Sequence, residues 1–180
     1  MTTYIVQSGD TLWKISSKFK VSLSAILQAN PGIRNPAYIY PGLKLNIPSA
    51  VTGVSFAQQV IALTNQERAK NGLGNLIANA ELSKVANLKA QDMRDKNYFS
   101  HQSPTYGSPF EMMRKFGITY SRIAEENIAS GQSTPQEVVN SWMNSPQHRQ
   151  NILNAQIKQI GVGYAAGGSL RHYWVQMFIG

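Results

Sequence analysis

The sequence predicts an α+β chain of two modules, a small βααβ unit followed by an α/β/α sandwich, and three observations carry that reading. Helix-spaced apolar residues lie between two short strand-like runs in the first fifty positions, a stretch of small residues without periodicity follows, and the last strand-like run is apolar on both faces. A strand with two apolar faces has to be covered twice, so helices should flank its sheet above and below.

In the first module, Tyr4-Ile5-Val6-Gln7 alternates at strand period and turns at Ser8-Gly9-Asp10 into Leu12, Ile15, Ser16 and Phe19. Spacings of three, four and seven mark a short helix with Asp10 or Thr11 as its cap. Ser22 is placed to cap a second helix carrying Leu23, Ile26 and Leu27, which Asn30-Pro31-Gly32 stops. Leu43-Lys44-Leu45-Asn46-Ile47 then alternates after Pro41-Gly42 and ends at Pro48. The predicted module covers residues 1–49 and the predicted linker residues 50–53. A unit of that size sits near the lower limit for folding without staples.

The second module, residues 54–180, opens with a helix over 55–70 and a stronger one over 80–96, capped by Asn79, with Leu82, Val85, Ala86, Lys89, Ala90 and Met93 on a single face. Ser108-Pro109-Phe110-Glu111 and Thr134-Pro135-Gln136-Glu137 each join a cap, a proline at the first helical position and a glutamate two residues later, so two more helices should begin there. Gly117 stops the first; the second runs to Ser145-Pro146, where a further short turn of helix begins. Runs over 157–165 and 170–179, joined by Ala166-Gly167-Gly168-Ser169, read as a hairpin.

The chain has 180 residues, and 42% hydrophobic against 14% charged is too apolar for a disordered chain. Residues 1–50 carry five Lys/Arg against one acid and residues 51–180 twelve against eight, so the +8 charge is spread along the chain. A spread excess suits polyanions in general, and without a basic run interleaved with aromatics nucleic acid is not an expected partner. No apolar run is long enough for a transmembrane segment. The N-terminus lacks a basic stretch followed by an apolar one, which points to a non-secretory route or to removal of a leader. The absence of cysteine excludes disulfides, thiolate zinc sites and cysteine nucleophiles.

Three segments in order, Tyr4 through Ile15, Leu27 through Pro31 and Tyr40 through Pro48, make the first module resemble the LysM family over nearly its whole length. That resemblance implies binding of N-acetylglucosamine polymers such as peptidoglycan and chitin in a shallow groove. By matching position, Gly9, Asp10, Thr11 and Leu12 would form one side of the groove and Asn30, Pro31, Gly32 and Ile33 the other. Sugar recognition needs amide partners beside an apolar surface, which these residue types supply.

The second module resembles the bacterial, cysteine-free branch of the CAP superfamily (cysteine-rich secretory proteins, antigen 5, pathogenesis-related 1). Asn65-Gln66-Glu67-Arg68, Tyr98-Phe99-Ser100-His101, Glu126-Asn127-Ile128-Ala129, Trp142 through Leu153, Ile160 through Gly163 and Tyr173 through Gln176 carry the likeness. The resemblance implies a cleft with two histidines and two glutamates able to hold a divalent metal such as zinc. His101, His148 and Glu126 match three members, while Ser145 stands where the second glutamate would be. Three ligands plus water would make an open zinc site if they converged. The same trio are the candidate catalytic residues.

Plainer roles account for other polar residues. Glu111 and Glu137 fit as helix caps, Glu125 should point away from Glu126, His172 fits strand packing, Asn65 and Arg68 fit as buried partners, and Trp13, Trp142 and Trp174 fit as core. No His-Glu-x-x-His helix or Gly-x-Ser-x-Gly elbow occurs. Two readings follow. The favoured one is a cell-wall or spore-surface protein that binds glycan and displays the CAP module to an envelope or spore-coat partner; the alternative is a glycan-targeted, metal-dependent hydrolase.

Overall fold

The computed structural model describes residues 2–19, 21, 26–27, 29–33, 39–48, 55–121 and 123–180, and the chain divides into two compact units, Met1–Ser55 and Phe56–Gly180. Expectations for Ser22, Leu23, the Trp13 side chain and the linker at 50–53 lie outside the described residues.

In the first unit, β1 (Thr2–Ile5) pairs antiparallel with β2 (Lys44–Ile47), Thr2 opposite Ile47 and Ile5 opposite Lys44. The Tyr40-Pro41-Gly42-Leu43 turn feeds β2; Leu43 N–H donates to the Tyr40 carbonyl at 3.1 Å and Gly42 takes φ 90°, the left-handed value a type II turn requires. Helix α1 (Leu12–Phe19) is capped by Thr11, whose Oγ1 accepts from Lys14 N–H at 3.2 Å. Ile26, Leu27 and Ala29 are helical as well. Val6, Leu12, Ile15, Val21, Ile26, Leu45 and Ile47 form the core.

The second unit contains α2 (Phe56–Lys70), β3 (Ile77–Ala78), α3 (Ala80–Asp95), α4 (Pro109–Lys115), β4 (Ala124–Ser130), α5 (Pro135–Asn144), α6 (Pro146–Ile152), β5 (Gln159–Ala166) and β6 (His172–Ile179). Its sheet runs β3-β5-β6-β4, with β3 parallel to β5 and the other pairs antiparallel. Side chains alternate across β6: Tyr173, Val175, Met177 and Ile179 join a core with α3 and α4, and Trp174 and Phe178 join a second core with α2, α5 and α6. The expected α/β/α sandwich is therefore present, with one apolar core on each face of the sheet.

The signed helix starts hold. Ser108 and Glu111 form a reciprocal capping box, and the Asn79 and Thr134 side chains accept from Leu82 and Glu137 N–H groups. Glu137 reaches one residue further back than expected, to Ser133 N–H at 2.8 Å. Ser145 makes no side-chain cap bond, so Pro146 alone marks the start of α6. The β5–β6 loop is longer than the four residues expected: Gly167, Gly168 and Arg171 all take positive φ, and β6 begins only at His172.

Strand β4 was not legible as a strand, because Ala-Glu-Glu-Asn-Ile-Ala-Ser is poor in β-branched and aromatic residues. It forms through seven consecutive pairings with β6, from Ala124 opposite Ile179 to Ser130 opposite Tyr173. Strand β3 covers only the first two residues of β5. Beyond it, α3 closes the edge, with Ser83 Oγ accepting from Val162 N–H at 3.2 Å and Asn87 Oδ1 from Tyr164 N–H at 3.4 Å.

Candidate functional site

In the small unit, the two loops expected to form a groove are built differently from one another. The Gly9 turn is closed by Asp10, whose Oδ2 accepts from Gln7 N–H and from the Tyr4 hydroxyl, both at 2.8 Å. Those two bonds hold the Asp10 carboxyl below its usual range, the Gln7 backbone being the larger influence. Lys14 Nζ donates to the Gly9 carbonyl at 2.8 Å and steadies the same turn. On the second loop, Asn30 Nδ2 donates to the Ile26 and Asn46 carbonyls at 2.7 and 2.8 Å, while its Oδ1 accepts from Asn46 N–H at 2.8 Å.

That arrangement divides the eight expected groove residues. Gly9, Thr11, Pro31 and Gly32 are exposed and Asp10 and Ile33 half-buried, so all six remain available at the surface. Leu12 is 2% exposed and belongs to the core, and Asn30 has its amide committed to the unit's own backbone. As side chains these two support the loops and do not line a groove. An apolar residue at the first position of a helix on a small core is buried because such a core has few others to fill it.

In the larger unit, His101 and Glu126 are brought together from a loop and from β4: Nδ1 and Oε1 share a 2.7 Å hydrogen bond. The histidine side chain is 52% exposed, the glutamate 2%. Burial pushes the Glu126 carboxyl up, opposed by the His101 bond and by the charges of Lys89 and His101. Its second oxygen, Oε2, is buried and has no hydrogen-bond partner among the described residues. His148, in the first turn of α6, is half-buried and held below the usual imidazole range, first by burial and then by the charge of His101. Asn127 Nδ2 donates to the His148 main-chain carbonyl at 3.2 Å, and Asn151 Nδ2 to Asn127 Oδ1 at 2.9 Å.

The chemistry open to this cluster is hydrogen bonding and proton exchange between a half-exposed imidazole and a buried carboxyl group, with a second imidazole whose charged form burial disfavours. The zinc site implied by the resemblance does not fit the arrangement as it stands. Among the described residues no group of three His, Cys, Asp or Glu side chains is placed to hold a metal ion, and Glu126 Oε1 is already bonded to His101. Ser145, in the place of a fourth ligand, supplies no carboxylate.

The other polar residues fall where expected. Glu125 turns away from Glu126 to accept from Asn154 Nδ2 at 2.9 Å, and His172 Nδ1 pairs with the Tyr164 hydroxyl at 2.8 Å. Trp142 and Trp174 are core, with indole N–H groups donating to the Ile128 and Gln132 carbonyls.

Two charged residues of α3 were not anticipated in the site. Lys89 was read as part of an apolar face, yet its Nζ donates to the His101 carbonyl at 2.6 Å. Asp92, one turn on, accepts from the hydroxyls of Tyr98, Ser103 and Thr105, each at 2.6 Å, and so closes the loop that carries His101. A lysine and an aspartate three apart on a buried helix face were the available signal.

Burial pushes the Asp92 carboxyl up, but the three hydroxyls and Lys89 outweigh it and leave it below the ordinary 3.8. A lowered acid stabilises the fold above its unfolded value and loses that stabilisation as pH falls through its folded value. Amide exchange at Thr105 and Tyr106 is therefore expected to accelerate below about pH 3.8 before the β5–β6 amides respond. Asp92→Asn, which cannot accept on both atoms, should cost about 2 kcal/mol in urea unfolding of this unit. Unchanged loop exchange at low pH together with unchanged urea stability of Asp92→Asn would contradict this role.

Comparison with known proteins agrees with the two units. The model of the cysteine-rich secretory protein family (CAP) matches residues 61–178, and that of the LysM domain matches residues 4–48. The uncharacterized protein YkwD of Bacillus subtilis is 57% identical over 133 residues, 74% of this chain and 49% of that protein. A crystal structure of an extracellular protein containing an SCP domain from Bacillus anthracis matches with TM-score 0.63 and 31% identity, covering 75% of this chain and 45% of the other. The spore coat assembly protein ExsA of Bacillus cereus is 45% identical over 49 residues, 27% of this chain and 8% of that protein. The chain spans about half the length of the curated relatives that it matches over most of its own length.

Proposed function

Because the chain belongs to the cysteine-rich secretory protein (CAP) family and carries a LysM domain ahead of its CAP domain, we propose that it is an envelope protein that binds N-acetylglucosamine-containing glycan and displays the CAP domain there. Peptidoglycan or a chitin-like oligosaccharide is the ligand of the first unit, and an envelope or spore-coat protein is the partner of the second, at the cell wall or spore surface. The carrying observation is the state of the two LysM loops. Gly9, Thr11, Pro31 and Gly32 stand exposed on turns that Asp10, Leu12 and Asn30 hold from beneath. The likeness of one segment to a spore coat assembly protein supports the spore surface as a location.

A single groove of this size gives weak affinity for short glycans, and a polymer raises retention through multivalency. The 180-residue chain mixed with purified sacculi should sediment with them, and soluble chitin oligomers should compete only at concentrations well above those of the glycan chains in the sacculus. No muropeptide should be released, with or without chelator. Failure to sediment would refute glycan binding; chelator-sensitive release of fragments would favour the metal-dependent hydrolase over the display module.

A further inference from the structure

We propose that Lys89 is the positioning residue of the CAP cleft, holding the main chain of His101 where its imidazole meets Glu126. The inference rests on reading His101 and Glu126 as the working pair of that cleft, and it concerns how the pair is assembled.

Lys89 lies in the middle of α3 among Val85, Ala86, Ala90 and Met93 and is 1% exposed. Burying an ammonium is costly unless its donors find acceptors. Among the described residues it makes no ion pair; its hydrogen bond goes to the His101 carbonyl, at 2.6 Å. The Tyr98 ring lies beneath it, 5.2 Å from Nζ to the ring centroid. The buried cation is thus committed to the backbone of the loop residue whose ring meets Glu126.

His101 needs such a hold. Its side chain is 52% exposed, so packing does not place it, and its partner comes from a different element, β4. A 2.7 Å bond between a loop and a strand survives only if the loop backbone is fixed to within a few tenths of an ångström. Asp92 grips the loop through the side chains of Tyr98, Ser103 and Thr105, on both sides of His101. Lys89 grips the main chain at His101 itself. The loop therefore hangs from α3 at an anionic and a cationic point; burial disfavours the charged form of Lys89, and Glu126 and Asp92 oppose that. Acting through His101 and not on a ligand, Lys89 is a positioning residue.

The test uses the chain with 13C and 15N labelling and no ligand, so failure of glycan or partner binding leaves it standing and its own failure leaves the sacculus experiment intact. The proton shared by His101 Nδ1 and Glu126 Oε1 should give a resolved downfield resonance. In Lys89→Met its exchange with water should rise about tenfold or more, with the β5–β6 cross-peaks unmoved, and Lys89→Arg should restore part of the protection. An unchanged resonance and exchange rate in Lys89→Met overturns the proposal. Should Lys89→Met not fold, the unaltered protein decides: a Lys89 Nζ signal protected from exchange and scalar-coupled to the His101 carbonyl carbon supports the assignment. A Lys89 ammonium exchanging as fast as that of exposed Lys84 defeats it.

Discussion

Gly163→Ala is expected to lower the stability of the CAP unit by about 3 kcal/mol or more, because a methyl group there meets helix backbone that has nowhere to move. A Cβ at 163 would stand 2.2 Å from the Ala86 carbonyl carbon and 2.3 Å from both the Ala86 oxygen and the Asn87 nitrogen. Gly161 has the same relation to Leu82 and Ser83, at 2.4 and 2.5 Å. The two glycines let α3 lie directly on β5, close enough for Ser83 and Asn87 to accept from the strand's N–H groups. Forcing the helix away removes those bonds and opens the core that Leu82, Val85 and Ala86 share with β6. Differential scanning calorimetry should show the transition of this unit falling by roughly 12 °C, at about 4 °C per kcal/mol. Gly74→Ala is the control: its Cβ meets none of the described residues within 4 Å, and its transition should not move. A Gly163→Ala variant as stable as Gly74→Ala would show that the close approach of α3 is dispensable.

Arg68→Met is expected to cost about 4 kcal/mol, since charged hydrogen bonds are lost and their acceptors stay buried. Arg68 is 3% exposed at the C-terminal end of α2. Its Nε donates to the Gly74 carbonyl at 2.9 Å and its Nη1 to the Ile152 and Asn154 carbonyls at 2.8 and 2.9 Å. One guanidinium thus ties the loop after α2 to the end of α6, where helix carbonyls have no partner of their own. Asn65, one turn earlier, continues the tie by accepting from Leu76 N–H and donating to its carbonyl. Since α6 carries His148, loosening its end should also broaden the His148 resonances in NMR spectra. Arg68→Lys should recover only part of the loss, because an ammonium cannot reach three carbonyls in a fixed fork. Equal stability of Arg68→Lys and the unaltered chain would refute the fork argument.

How far the candidate site could be read in advance differs between its parts. His101, Glu126 and His148 were visible through the resemblance that the motifs around them carry, and the first two do meet. Whether a third ligand joined them was not visible, because a loop, an edge strand and a helix turn have no common spacing along the chain. Leu12 and Asn30 were assigned to a glycan groove by matching position in the LysM resemblance, which counts them with its two loops, yet one fills the core and the other bonds the backbone of β2. Loop position says which residues are near a surface; only packing says which way their side chains turn.

What the sequence determined by itself was the local grammar of the molecule. Caps at Asn79, Ser108 and Thr134, the turn at Pro41-Gly42 and the two apolar faces of β6 each depend on residues within one or two turns of each other. Tertiary structure alone decided that Ala-Glu-Glu-Asn-Ile-Ala-Ser is a strand, that Gly161 and Gly163 receive a helix, and that Lys89 and Asp92 face inward to hold a loop. Polar and small residues have weak local preferences. Their roles are set by partners distant in the sequence, whose hydrogen bonds outweigh what burial of a charge or an amide would otherwise cost.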